Sequence, residues 1–90
     1  MAALDLLGRR WALRILWELR DQPLGFRALQ AACDDMSSSV LRDRLGELGE
    51  ARIIERRADE TYALGSLGSE LVAALAPLSE WSTRWADAIR

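Results

Sequence analysis

Apolar residues recur along this chain at the three-and-four spacing of amphipathic helices, and only a few Pro, Gly and Asp positions interrupt them. That pattern calls for a bundle of helical pieces with very little sheet. Residues 9–21 carry Trp11, Ala12, Ile15, Leu16 and Leu19 on one stripe, which predicts a first helix. Gln22-Pro23-Leu24-Gly25 ends it, because Pro cannot continue the hydrogen-bond ladder and Gly accepts a positive φ. A short second helix is predicted over 26–33, with Phe26, Leu29 and Cys33 on one face, before Asp34-Asp35 breaks the period. Ser37 has the character of an N-cap, followed by roughly 13 helical residues with Leu41, Leu45 and Leu48 facing inward. Ile53-Ile54 and Thr61-Tyr62 are the only β-like pieces and predict a small hairpin. Gly65-Ser66 opens a last helix in which Leu67, Leu71, Leu75, Leu78, Trp81 and Trp85 share a stripe. Pro77 lies inside that helix and predicts a kink.

The expected fold class is therefore mainly α with a small β-hairpin, in one domain over residues 1–90. Two short helices around a tight break, then a two-stranded ribbon, is the plan of a winged helix-turn-helix. The helix-turn-helix falls at about 26–50 and the wing at about 53–64. Composition removes other classes. There is no His and a single Cys, so a His/Cys zinc site, a His-dependent triad and an internal disulfide are all excluded. The paired carboxylates Asp34-Asp35 and Asp59-Glu60 are adjacent in turns and do not form an acid–base dyad. We expect no enzyme activity, no catalytic residues, no metal and no cofactor. No apolar run approaches a membrane span and no basic segment precedes one near Met1, so the expectation is a cytoplasmic protein without a membrane partner.

Five stretches in register resemble the HxlR-type family of bacterial winged-helix transcription regulators. They are residues 7–16 (similar to the family's LGGKWTLLIL), Phe26-Arg27-Ala28-Leu29, residues 36–48 from Met36 to Leu48, Ile53-Ile54-Glu55-Arg56, and residues 62–68 from Tyr62 to Gly68. Trp81 also falls where the family often has a Trp. The resemblance spans roughly residues 4–86. It implies a homodimeric DNA-binding regulator, and we expect a repressor reading a palindromic double-stranded DNA operator. In that family the helix after Ser37 enters the major groove and the terminal helices pair the subunits, here at about 66–90. Three departures stand out. Arg52 occupies a usual Gly position, so either it is strained or the helix stops at Gly49. Only four residues separate Arg57 from Tyr62, which shortens the wing. The N-terminal Cys that many members carry is absent.

On a helix turning about 100° per residue, Leu45 and Leu48 fall beside Leu41, while Ser39, Asp43 and Gly46 fall opposite and Arg42 borders them. The base-reading candidates are Ser38, Ser39, Arg42 and Asp43. Arg42 can donate two hydrogen bonds to guanine and Asp43 can accept from cytosine. Phosphate candidates are Arg27, Ser37, Arg44, Arg56 and Arg57, with an Arg44–Glu47 surface pair as the structural alternative for Arg44. Glu47, on the flank, would repel phosphate. The net charge of −2 divides unevenly: residues 37–57 carry five Arg against four acids, and residues 58–90 carry two against five. Cys33 reads as a buried thiol, not a sensor. Trp11 reads as packing. Trp17, Trp81 and Trp85 are candidates for a dimer interface or for a slot holding a planar apolar effector, with Trp17 reaching either a partner chain or the last helix. A winged-helix interaction module without DNA binding is the competing reading.

Overall fold

The computed structural model describes residues 1–90. Its elements run α1 (Ala2–Leu7), α2 (Ala12–Glu18), α3 (Phe26–Ala32), α4 (Ser38–Glu50), β1 (Ile54–Arg56), β2 (Tyr62–Leu64) and α5 (Ser66–Ala88). This is the expected plan of helices and one antiparallel hairpin, with changes at three joints.

The first joint shortens the helix expected over 9–21 and sets an unexpected short helix before it. Gly8 to Trp11 form a turn, α1 precedes it, and α2 spans only Ala12–Glu18. Trp11 takes φ 77° to make the corner, a conformation that costs an L-residue about 1–2 kcal/mol. The indole packs against the core, and that burial offsets the strain. Periodicity cannot reveal such a corner, because Trp11 keeps its place on the apolar stripe.

The second joint is the end of α4. The helix continues past Gly49 to Glu50, with Ala51 as its C-cap. Arg52 takes φ 62°. Its N–H donates to Gly49 O at 3.0 Å, and Ile53 N–H donates to Leu48 O at 3.0 Å. Those two bonds make a Schellman cap, with Arg52 where Gly is usual. Of the two outcomes expected for Arg52, the strained backbone is the one found.

The third joint is the hairpin. Its register pairs Ile54 with Leu64, Glu55 with Ala63 and Arg56 with Tyr62, so Ile53 and Thr61 lie outside the strands. Leu24 adds a one-residue third strand: its N–H donates to Tyr62 O at 3.0 Å, and Tyr62 N–H donates to Leu24 O at 2.8 Å. That bridge docks the loop before α3 onto the wing.

The core comprises Ile15, Leu16, Leu19, Leu29, Cys33, Met36, Leu41, Leu45, Leu48 and Ile54. Asp34 and Asp35, at φ 58° and 54°, turn the chain between α3 and α4. Gln30 holds this turn by donating its Nε2–H to Met36 O at 2.8 Å and accepting Asp35 N–H on its own carbonyl at 3.0 Å. Helix α5 runs unbroken through Pro77 for 23 residues, yet Gly68 is its only buried residue. Leu67, Leu78, Trp81 and Trp85 stand exposed along it, and Ile89 stands exposed at its C-cap. A helix of that length, about 35 Å at 1.5 Å per residue, overhangs the small core and explains the 43 Å long axis of the molecule.

Candidate nucleic-acid interface

The Ser37 hydroxyl accepts the Val40 N–H at 3.4 Å and lies 3.0 Å from the Ser39 hydroxyl. It therefore starts α4 as a cap should. With Leu41, Leu45 and Leu48 buried, the opposite face presents Ser38, Ser39, Arg42 and Asp43, all exposed.

A cleft of about 630 Å³ opens between α3, the start of α4 and the hairpin. Phe26, Arg27, Gln30, Ser38, Arg42, Arg56 and Tyr62 line it. Three guanidiniums thus converge from segments far apart in sequence, and no carboxylate lines the walls. The Arg42 guanidinium sits 5.0 Å over the Phe26 ring. Arg56 sits 5.6 Å over Tyr62 and 3.5 Å from Glu60. Arg27, Arg42 and Arg57 make no ion pair and no side-chain hydrogen bond within the chain, so their donors are free.

Arg44 is different, because it makes the Glu47 pair that is the structural alternative to a phosphate role. Its Nη1–H donates to Glu47 Oε1 at 2.7 Å and its Nε–H to the Arg10 carbonyl at 3.0 Å. Arg9 donates to the same Glu47 oxygen at 2.9 Å. The Arg9 hydrogen bond, followed by the charge of Arg44, holds the Glu47 carboxyl below the ordinary carboxylate range. Glu47 is consequently neutralised by two cations and is a weaker obstacle to DNA than its flank position suggested. The knot also ties the turn after α1 to α4.

The wing tip is compact. Asp59 accepts Thr61 N–H at 3.0 Å and Thr61 Oγ1–H at 2.6 Å, bonds that lower its pKa. Glu60 turns the corner at φ 67°. Arg57 is exposed at the base of this tip.

Cys33 is fully buried, and desolvation is the main cause that pushes its thiol pKa up. Trp17 faces α5 across a groove of about 440 Å³ bordered by Leu13, Leu75 and Leu78, with the Arg20 guanidinium 4.0 Å from its ring. Within the chain, the last helix is its neighbour across this groove. Trp81 and Trp85 do not border that groove. They stack on each other, centroids 5.8 Å apart and planes 7° from parallel, and each is half exposed. The three Trp therefore form no common slot within one chain.

Phe26, Gln30 and Tyr62 also line the cleft, although their positions in the sequence single out none of them as site residues. Phe26 and Tyr62 read there as core or hairpin, and nothing in the linear pattern says that α3 and the wing share a wall.

A family model described as HxlR-like helix-turn-helix matches residues 6–90. The chain is 33% identical to the HTH-type transcriptional regulator YvaP of Bacillus subtilis, over 94% of this chain and 84% of that one. It is similar to the quinone-bound structure of YodB from B. subtilis, with a TM-score of 0.84, 31% identity and 92% of each chain covered. It is also similar to reduced YodB, with a TM-score of 0.75, 32% identity, and 96% of this chain and 86% of that one covered.

Proposed function

The chain belongs to the HxlR-like helix-turn-helix family of transcriptional regulators, and from that premise we propose that it works as a cytoplasmic homodimeric repressor reading a palindromic operator. The observation that carries this reading is the cleft in which Arg27, Arg42 and Arg56 converge beside the outward face of α4. Arg27 and Arg42 leave every guanidinium donor free, whereas Arg9, Arg14 and Arg44 are tied to carboxylates within the fold. In the proposed complex α4 enters the major groove. Arg42 donates to guanine, Ser38, Ser39 and Asp43 meet neighbouring base edges, and Arg27, Ser37, Arg56 and Arg57 hold phosphate. So few phosphate contacts per subunit give weak binding to a single half-site, and dimerisation through α5 supplies the second.

Selection of bound duplexes from a random pool tests the proposal. A two-fold symmetric site with half-sites about one or two helical turns apart is the expected result. Arg42→Ala should relax preference at one base pair of each half-site, at a cost of about 1–3 kcal/mol. Arg27→Ala should weaken all duplexes equally and flatten the salt dependence. No duplex binding even at low salt would favour an interaction module instead.

A second reading concerns an effector. The stacked, half-exposed Trp81–Trp85 pair and the similarity to a regulator solved with a quinone bound favour a planar apolar ligand held between subunits at this pair. Saturable quenching of Trp fluorescence by planar aromatics, lost in Trp81→Ala or Trp85→Ala, is the expected response.

A further inference from the structure

Phe26 begins α3, is half-buried against the core cluster, and turns one ring face toward the cleft, where the Arg42 guanidinium covers it at 5.0 Å. We propose that Phe26 is the positioning residue for base recognition: its ring fixes the direction in which Arg42 enters the groove. This inference rests on the reading of Arg42 as the base-contacting residue.

Three features of the site converge on it. Arg42 has no hydrogen bond or ion pair within the chain, and its guanidinium lies over the Phe26 ring. A cation–π contact uses none of the guanidinium N–H donors as hydrogen bonds, and those are the donors that pair with guanine O6 and N7. The ring is anchored from behind by the core and by the start of α3, so it can pass rigidity on to a long, otherwise free side chain. Ordering that side chain before DNA arrives lowers the entropy lost at contact.

The opposite rim of the cleft supplies an internal contrast. Arg56 also lies over an aromatic ring, Tyr62, but at 5.6 Å and with Glu60 as a second anchor 3.5 Å away. Arg56 comes from the wing, outside α4, and belongs among the phosphate contacts. Removing the Tyr62 ring should therefore weaken all sequences alike, and removing the Phe26 ring should change which sequences are preferred.

The experiment is the random-pool selection, followed by titration of the selected operator and of each single-base variant, with wild type, Arg42→Ala, Phe26→Leu, Phe26→Trp and Tyr62→Leu. Leu keeps apolar bulk against the core and removes the π face; Trp keeps a face. Expected for Phe26→Leu is a roughly two- to fivefold loss of discrimination at the position that Arg42→Ala relaxes, with other positions unchanged. Phe26→Trp should restore it. Thermal melts show that each variant is folded. If Arg42→Ala leaves base preference intact, the assignment of the reading residue fails first. If Arg42→Ala relaxes one position while Phe26→Leu leaves it sharp, or weakens every sequence equally, the positioning role is overturned and the reading of Arg42 stands.

Discussion

Gly68 offers the sharpest quantitative prediction about how this fold is held. It is the one buried residue of α5, where the helix backbone crosses the entry to β1. A Cβ built there would lie 2.1 Å from the Ile53 carbonyl oxygen and 3.2 Å from the Leu64 Cβ. A relaxed carbon–oxygen approach is about 3.3 Å, so Gly68→Ala requires α5 and the Ile53 segment to separate by about 1.2 Å. The closest atom is backbone, so no flexible side chain can give way there. The same Ile53 oxygen accepts the Gly65 N–H at 3.0 Å, so separation also stretches the bond that starts α5. Overpacking costs about 1–3 kcal/mol and a weakened hydrogen bond about 0.5–1.5 kcal/mol. Ala's helix propensity returns up to about 1 kcal/mol. The net is a loss of about 0.5–4.5 kcal/mol, equivalent to a melting point lower by at least about 2 °C in a domain of this size. Gly49→Ala, in α4, is the control: nothing lies within 4 Å of a Cβ placed there, so propensity alone acts and stability should rise by about 0.5–1 kcal/mol. Urea denaturation of both variants against wild type measures the pair. A midpoint for Gly68→Ala equal to or above that of wild type would refute the close approach of α5 to Ile53.

Three further outcomes follow from the same geometry. Glu47 has a carboxyl pKa depressed in the folded state by Arg9 and Arg44, so its contribution is present above its unfolded value near 4.5 and is lost as pH falls through the lower folded value. Glu47→Gln should be less stable than wild type near neutrality, and the gap should close on acidification; parallel midpoints across that range would contradict the pairing. Cys33, buried with a raised pKa, should resist thiol reagents in the native protein at neutral pH and react only as fast as the chain unfolds; prompt labelling without denaturant would place the thiol at the surface. Replacing Trp81 and Trp85 together by Ala should raise a dimer dissociation constant at least tenfold in sedimentation equilibrium, as loss of central aromatic contacts does, while leaving the monomer's melting cooperative. An unchanged constant would move the interface off this face of α5.

Sequence periodicity was sufficient where one element answers to one stripe. Leu41, Leu45 and Leu48 buried as their spacing demanded, and that alone put Ser38, Ser39, Arg42 and Asp43 on the outer face of α4. Ser37 capped as its chemistry required. Cys33 was buried, as a small apolar thiol on a helical stripe tends to be. These results depend on near neighbours in the chain, which a linear pattern records. What tertiary structure decided was every relation between distant segments. It brought Arg27, Arg42 and Arg56 to one cleft and gave Arg42 an aromatic support from another helix. It withdrew Arg44 into a knot with Glu47, Arg9 and the Arg10 carbonyl. It bent Trp11 and Arg52 into left-handed backbone that their side chains disfavour, because core packing at Trp11 and capping hydrogen bonds at Arg52 outweigh the local cost. Charge types and helix faces are local properties of the chain; which guanidinium is free to meet DNA depends on what the rest of the fold has already paired.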